Sequence, residues 1–354
     1  MRIALVAPLA ESIPPRLYGG TERVVAWLAD ALVDRGLDVT LFASGDSCTK
    51  AELHPCAEEG LRLKNIDDHL PHMFCMFDKV RERVDEFDIL HFHTDFFHFP
   101  VFQPYVERCF TTLHGRLDLP DTFCAYEHFD RMRLVSISDD QRRPMPNANF
   151  SRTIYHGMPA DLLPYSPQSG DYLAFLGRIS PEKRPDRAIE IAKRAGRKLR
   201  IAAKVDNADR DYFEREIKPM LDHPLIEFIG EIDDREKAEF LGGAIALLFP
   251  IDWPEPFGLV MIEAMATGTP VIGWRNGSTP EVIRDGRSGL LVKTIEEAVE
   301  AVEKCASLSR SKVRESFDQR FTADIMAANY ADLFRGALVE TTSPSVEGQS
   351  LLFR

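Results

Sequence analysis

Nothing in this chain announces a membrane span, a secreted scaffold or a nucleic-acid binder. None of its apolar runs reaches the roughly 18–20 residues that crossing a bilayer requires. Its six cysteines (Cys48, Cys56, Cys75, Cys109, Cys124, Cys305) are scattered without a CxxC pair. Reduced, mostly buried thiols in a cytoplasmic protein are therefore expected. Positive charge is scarce: 43 Lys and Arg stand against 56 Asp and Glu, a net charge of −13. A phosphate backbone needs a basic footprint, so no nucleic-acid partner is expected. A small anionic ligand stays open, because a local pocket can be positive on a negative protein. No block of Lys and Arg marks a membrane surface, and peripheral contact with one stays open. The first residues are too short for a signal peptide and read as a strand. No repeat of solenoid length occurs.

What is present is alternation. The 354 residues suggest about two domains. Short apolar runs predict strands at 3–7, 39–43, 89–93, 110–113, 134–137 and 153–155, and again at 172–176, 199–203, 226–229, 246–249, 271–273 and 290–292. Helical periodicity fills gaps, at 22–36, 185–195 and 210–221 for example. Between the two runs, residues 157–170 carry three prolines, two glycines and two serines, and read as a linker. Continuous apolar strands alternating with helices imply parallel sheets covered on both faces. The expectation is an α/β protein of two Rossmann-like, doubly wound domains facing a cleft. The N-terminal domain would span 1–158, the linker 159–170 and the C-terminal domain 171–321. A helix over 322–340 would pack back on the first domain, and 341–354 would form a loose tail.

In open α/β sheets ligands bind beyond the carboxyl ends of the strands, and four clusters fall there. Gly19-Gly20 precede the first helix, where backbone can approach a phosphate closely. They do not form a GxGxxG motif. Arg178 follows a strand and Lys183 lies five residues on, near the next helix start, a sensible clamp for a diphosphate. Glu255 and Glu263 bracket Pro-Phe-Gly-Leu-Val-Met-Ile. Glu255 and Phe257 should lie before a helix N-terminus and Glu263 inside the helix. That end offers unpaired N–H groups and partial positive charge, and the acids accept hydroxyl protons. The set suits a polyhydroxylated ligand that also carries an anion. His114 stands at a fourth strand end, where a structural role is the competing reading. His91, His93 and Asp95 alternate at strand spacing with His98 nearby, and a zinc site is an alternative there. The segment's phenylalanines argue for a pocket wall or core instead.

The motifs occur together and in order: Gly19-Gly20-Thr-Glu22, Gly177-Arg178-Ile-Ser-Pro-Glu-Lys183, Glu255 to Glu263, and Gly277-Ser-Thr-Pro-Glu281. This set resembles the family-4 retaining glycosyltransferases of the GT-B fold, over roughly residues 1–340. The resemblance implies that Arg178 and Lys183 hold the donor diphosphate and that Glu263 binds the ribose. Glu255, with the backbone N–H groups around Phe257, Gly258 and Leu259, would hold the donor sugar. Gly19 and Gly20 would approach the phosphate from the other domain, and His114 would contact the sugar. Glu281 follows Gly-Ser where the family often has Gly-Gly. No cofactor and no metal are implied; the nucleotide-diphosphate sugar is a substrate.

Expected partners are that donor, with UDP-glucose first and GDP-mannose next, and an acceptor of unknown class: a sugar, a glycolipid or a small metabolite. The aromatic segment 91–99 and Arg116-Leu117-Asp118 are acceptor candidates. Two other readings compete, a nucleotide-sugar 2-epimerase of the same fold and a non-catalytic nucleotide-sugar binding protein.

Overall fold

A computed structural model describes residues 1–16 and 19–342. Leu17 and Tyr18, beside the first glycine pair, fall outside the described residues, as does the expected tail from 343 onward.

The chain builds two parallel sheets. The first holds β1 (Arg2–Val6), β2 (Asp38–Ser44), β3 (Glu52–Ala57), β4 (Ile89–Phe92), β5 (Cys109–Thr112), β6 (Arg133–Ser136) and β7 (Phe150–Thr153), in the order β3-β2-β1-β4-β5-β6-β7. The second holds β8 (Tyr172–Arg178), β9 (Lys198–Lys204), β10 (Ile226–Gly230), β11 (Ala244–Phe249), β12 (Val271–Trp274) and β13 (Gly289–Val292), in the order β10-β9-β8-β11-β12-β13. Each order reverses direction beside its first strand, the topology of a doubly wound domain. Strands covered on both faces read as unbroken apolar runs, and every residue of β4 and β11 is buried.

Two elements depart from the expectations, each for a local reason. β3 is an edge strand, Glu-Leu-His-Pro-Cys-Ala, only partly buried and carrying Pro55. An edge needs neither a continuous apolar run nor every N–H, so periodicity misses it. The helix expected over 210–221 is broken into Arg210–Tyr212, a π turn at Phe213–Ile217 and a 3-10 turn at Lys218–Met220. Pro219 cannot donate the bond that would continue it. In contrast, the helix Pro185–Ala195 forms over the expected residues and stops at Gly196, with φ +60.

The long helix Ala323–Thr342 returns to the first sheet. Met326, Ala327, Tyr330 and Phe334 are buried there with Val24, Val25, Leu28 and Leu32 of the helix Gly20–Asp34. The two passages between the sheets run side by side. Met158 N–H donates to the Phe321 carbonyl at 3.0 Å, and Ala323 N–H to the Met158 carbonyl at 2.8 Å. A Cβ on Gly157 would stand 2.3 Å from the Thr322 carbonyl oxygen, so only glycine lets these passages close up.

Candidate functional site

A cavity of about 390 Å³ lies between the sheets, at the carboxyl ends of β5, β8, β9 and β11. The ten residues that the resemblance assigns to the donor and its sugar all line it: Gly19, Gly20 and His114 from the first sheet's side, and Arg178, Lys183, Glu255, Phe257, Gly258, Leu259 and Glu263 from the second. The two sides nearly meet. A Cβ on Gly20 would stand 3.8 Å from Leu259 Cδ1, across the cleft. Gly19 is more confined, since a Cβ there would lie 2.8 Å from Glu22 Oε2.

The floor is a helix start. Gly258 has φ +80, and a Cβ on it would press Met261 and Phe249, so the turn into the helix Leu259–Thr267 needs glycine. No side chain caps this end, leaving its first N–H groups for a ligand. The Phe257 ring is buried, so Phe257 offers backbone rather than an aromatic face. The segment before the helix is buttressed from behind. Ser278 N–H donates to the Glu255 carbonyl at 2.9 Å and Ser278 Oγ to the Phe257 carbonyl at 2.7 Å. Gly277, at φ +55, lies so close that a Cβ would stand 2.3 Å from Glu255 N. The Gly277-Ser278 turn thus sets the height of the Glu255 loop.

The charged groups are paired with one another rather than separately displayed. Lys183 Nζ donates to Glu255 Oε2, and Trp253 Nε1–H donates to the same oxygen at 2.8 Å. Lys183 is aimed by its neighbour: Arg184 takes the left-handed φ of +54, uncommon for a non-glycine residue, and is held there by Asp186 and by Asp252. Arg178 pairs with Glu182 at 3.1 Å and Asp206 at 3.6 Å.

Glu263 is buried and accepts from Lys237 Nζ at 2.8 Å. Lys237 also meets Asp234 at 3.1 Å, and Asp234 accepts from Arg23 of the opposite domain at 2.5 Å. Burial works against the Lys237 ammonium, yet Glu263 and Asp234 outweigh it and hold its pKa above the ordinary range. Sequence reading missed Lys237 and Arg23, though both line the cavity. Arg23 is one residue beyond the Gly-Gly-Thr-Glu motif and was within reach of it. Lys237 sits in an unremarkable polar helix that only the fold carries to Glu263.

The wall around His114 is made of histidines. His93 Nδ1 lies 2.7 Å from His114 Nε2, and the His156 ring stacks on His114 at 5.1 Å and 22°. His91 Nε2 is 2.8 Å from Thr112 Oγ1, itself 2.8 Å from the Tyr330 hydroxyl. Burial pushes His91 and His114 down to about 3 and His93 and His156 well below the ordinary histidine range, so all four are neutral imidazoles at neutral pH. Among the described residues, no group of three or more His, Cys, Asp or Glu side chains could hold a metal ion. His91 and His93 are instead turned onto Thr112 and His114.

The acceptor candidates separate. In the segment 91–99, His91, Phe92, His93, Thr94, His98 and Phe99 are buried, and His98 stacks flat on Phe92 at 3.8 Å. Most of that segment is core behind the site, and the expectation of an aromatic acceptor surface there is corrected. Arg116, Leu117 and Asp118 line a second cavity of about 240 Å³, which shares Pro256 with the first. Glu281 does not line either cavity. Its carboxylate accepts from the backbone N–H of Asp139 at 2.7 Å, of Asp140 at 2.8 Å and from the Tyr155 hydroxyl at 3.1 Å. It ties the second domain to the first.

Known proteins share this fold. The family profile described as Glycosyltransferase Family 4 matches residues 18–154, and that described as Glycosyl transferases group 1 matches residues 166–322. The chain belongs to the family-4 glycosyltransferases, with the GT-B fold, and is a transferase enzyme. It is 26% identical over 348 residues to a phosphatidyl-myo-inositol mannosyltransferase of Mycobacterium leprae (strain TN), covering 90% of each chain. The crystal structure of AviGT4, a glycosyltransferase involved in avilamycin A biosynthesis, matches with a TM-score of 0.73 at 22% identity, over 96% of this chain and 98% of that one. Anabaena Alr3699/HepE in complex with UDP and glucose matches with a TM-score of 0.72 at 18% identity, over 95% and 99%. At such identities the two structures speak for the fold. Among the described residues, no helix is long and apolar enough to cross a membrane.

Proposed function

We propose that this enzyme is a retaining hexosyltransferase that uses a nucleotide-diphosphate sugar, UDP-glucose first and GDP-mannose next, with no metal or cofactor, in the cytoplasm. The observation that carries the reading is the convergence, on one cavity, of an uncapped helix start, two buried carboxylates and five cations, Arg23, Arg178, Lys183, Lys204 and Lys237. The donor has two supports of unequal kind, one for base and sugar and one for the sugar alone. HepE binds UDP and glucose in a neighbouring structure, and the Mycobacterium leprae relative is a mannosyltransferase. Six unpaired cysteines suit a reducing compartment.

The roles follow from charge. As the glycosidic bond to phosphate breaks, negative charge grows on the leaving diphosphate, and fixed cations that gain from this growth lower the barrier. Arg178 and Lys183 serve that purpose. Lys183 exchanges Glu255 for phosphate oxygens, and Glu255 exchanges Lys183 for sugar hydroxyls. Glu263 holds the ribose and His114 the sugar near its reacting carbon. Retention through a covalent intermediate would need a nucleophile. Glu255 shares one oxygen between Lys183 and Trp253, and its role in this reading is to position the sugar while the acceptor attacks from the leaving-group face. Closure of the cleft completes the site.

The test is thermal unfolding with UDP, GDP, ADP and their glucose and mannose conjugates, with and without chelator. A ligand at 100 times its Kd stabilises by about 2.7 kcal/mol. A shift with one base, indifferent to chelator and lost in Lys183→Ala, supports the reading. No shift with any nucleotide overturns it. The anomeric configuration of the product, by NMR, decides retention. A 2-epimer formed without acceptor would identify an epimerase, and nucleotide-sugar binding without transfer or hydrolysis a binding protein.

A further inference from the structure

His93 belongs to neither of the motifs that define the site, and it does not line the cavity. It is nevertheless the hydrogen-bonding partner of His114, which does. We propose that His93 is a positioning residue that fixes His114 in the tautomer carrying its proton on Nδ1, so that His114 meets the donor as an N–H donor. This inference rests on the reading of the cavity as a nucleotide-sugar site.

The argument is one of counting protons. Both imidazoles are neutral, so each carries one N–H, and the 2.7 Å contact between His93 Nδ1 and His114 Nε2 uses one of the two. The second proton sits either on His93 Nε2 or on His114 Nδ1. Both atoms are buried and neither has a hydrogen-bond partner. An N–H left without an acceptor in the interior is rarer and costlier than an unused lone pair. His93 is the deeper residue: 3% exposed, packed at 4.3 Å against the His91 ring, which Thr112 and Tyr330 hold in turn. His114 stands on the cavity wall. Placing the spare N–H on His114 puts it on the member of the pair that lines the cavity, where a ligand that fills the cavity is the acceptor this atom lacks, while His93 Nε2 keeps a lone pair. His93 Nδ1–H then donates to His114 Nε2. The His156 ring, stacked on His114 and edge-on to Phe257 at 5.0 Å and 64°, keeps the His114 plane from turning out of this contact.

The arrangement also assigns work to the paired histidines of β4 and its end. Thr112 and Tyr330 lock His91, His91 backs His93, and His93 sets His114.

The test compares His93→Leu, which keeps bulk and removes the bond, with His93→Asn, whose side-chain amide reaches the place of His Nδ1. Sugar transfer is measured with the donor that stabilises the wild type. His93→Leu is expected to lower kcat about tenfold to a hundredfold, by analogy with outer partners of metal-bound histidines, with the donor KM within about threefold. His93→Asn should restore most of kcat. In the wild type, ¹⁵N NMR of labelled histidine should show His114 protonated on Nδ1, and a scalar coupling from His93 Nδ1 to His114 Nε2. His93→Leu with wild-type kcat overturns the inference, as does His114 protonated on Nε2. If His93→Leu does not fold, the wild-type ¹⁵N spectrum decides alone. A wild type that neither binds a nucleotide nor transfers sugar defeats the functional reading, and the inference with it. An active wild type with an indifferent His93 defeats the inference only.

Discussion

Acid should unfold this protein earlier than its acidic composition suggests, because of histidines rather than carboxylates. His91, His93, His98 and His156 are at most 4% exposed, and burial holds each far below its ordinary pKa. Folded, they stay neutral; unfolded, each takes a proton near pH 6.5. The unfolded chain therefore binds more protons in acid, and stability present above about pH 6.5 drains away as pH falls toward the folded values. Between pH 7.5 and 5.0 each histidine contributes a loss of about 2 kcal/mol, so four contribute about 8 kcal/mol at most. That is comparable with the whole stability of a domain, about 5–15 kcal/mol. Guanidinium unfolding at pH 7.5, 6.0 and 5.0 reads the effect. Near pH 5 these four rings should contribute close to four protons to the slope, His114, also held near 3, should add up to one more, and His91→Gln should remove about one. Stability that varies by less than one proton's worth between pH 7 and 5 would refute the claim that these rings are neutral and buried.

Other outcomes follow from the site. Lys183→Ala and Glu263→Ala should weaken donor binding by calorimetry. His114→Ala and Glu255→Ala should lower turnover more than affinity, and wild-type values in all four would sink the residue assignments. Gly277→Ala forces a left-handed alanine, at about 1–2 kcal/mol, and drives a methyl into the Glu255 backbone, so both melting temperature and kcat should fall. Glu281→Ala strips two backbone N–H groups of a charged acceptor, worth about 1.5–3 kcal/mol. Proteolysis near the interdomain passages should accelerate; unchanged cleavage and melting would show the tie to be idle.

Local signals carried far here. Among the described residues, apolar runs located eleven of thirteen strands with their cores, because a parallel sheet buries both faces and leaves no polar alternation to confuse. The missed strand, Glu52–Ala57, lies at an edge, and the last strand of the first sheet begins at Phe150 rather than near Thr153, where polar residues alternate. The glycines were legible for the same reason that they are needed. Gly258 and Gly277 take backbone angles that side chains resist.

By itself the sequence determined two doubly wound sheets and which carboxylates and cations lie near strand ends, since period and strand-end position are local properties. Tertiary structure alone decided the partnerships. Lys183 meets Glu255 across 72 residues, Lys237 meets Glu263 across 26, Arg23 meets Asp234 across 211 and His93 meets His114 across 21. Glu281, the end of the last motif, ties the two domains, and His91 and His93, for which zinc was the alternative to a pocket wall or core, back the cavity wall at His114. Spacing along a chain says which residues share an element. Which atoms face each other across a cleft is set by how the two sheets pack, and no single segment encodes that.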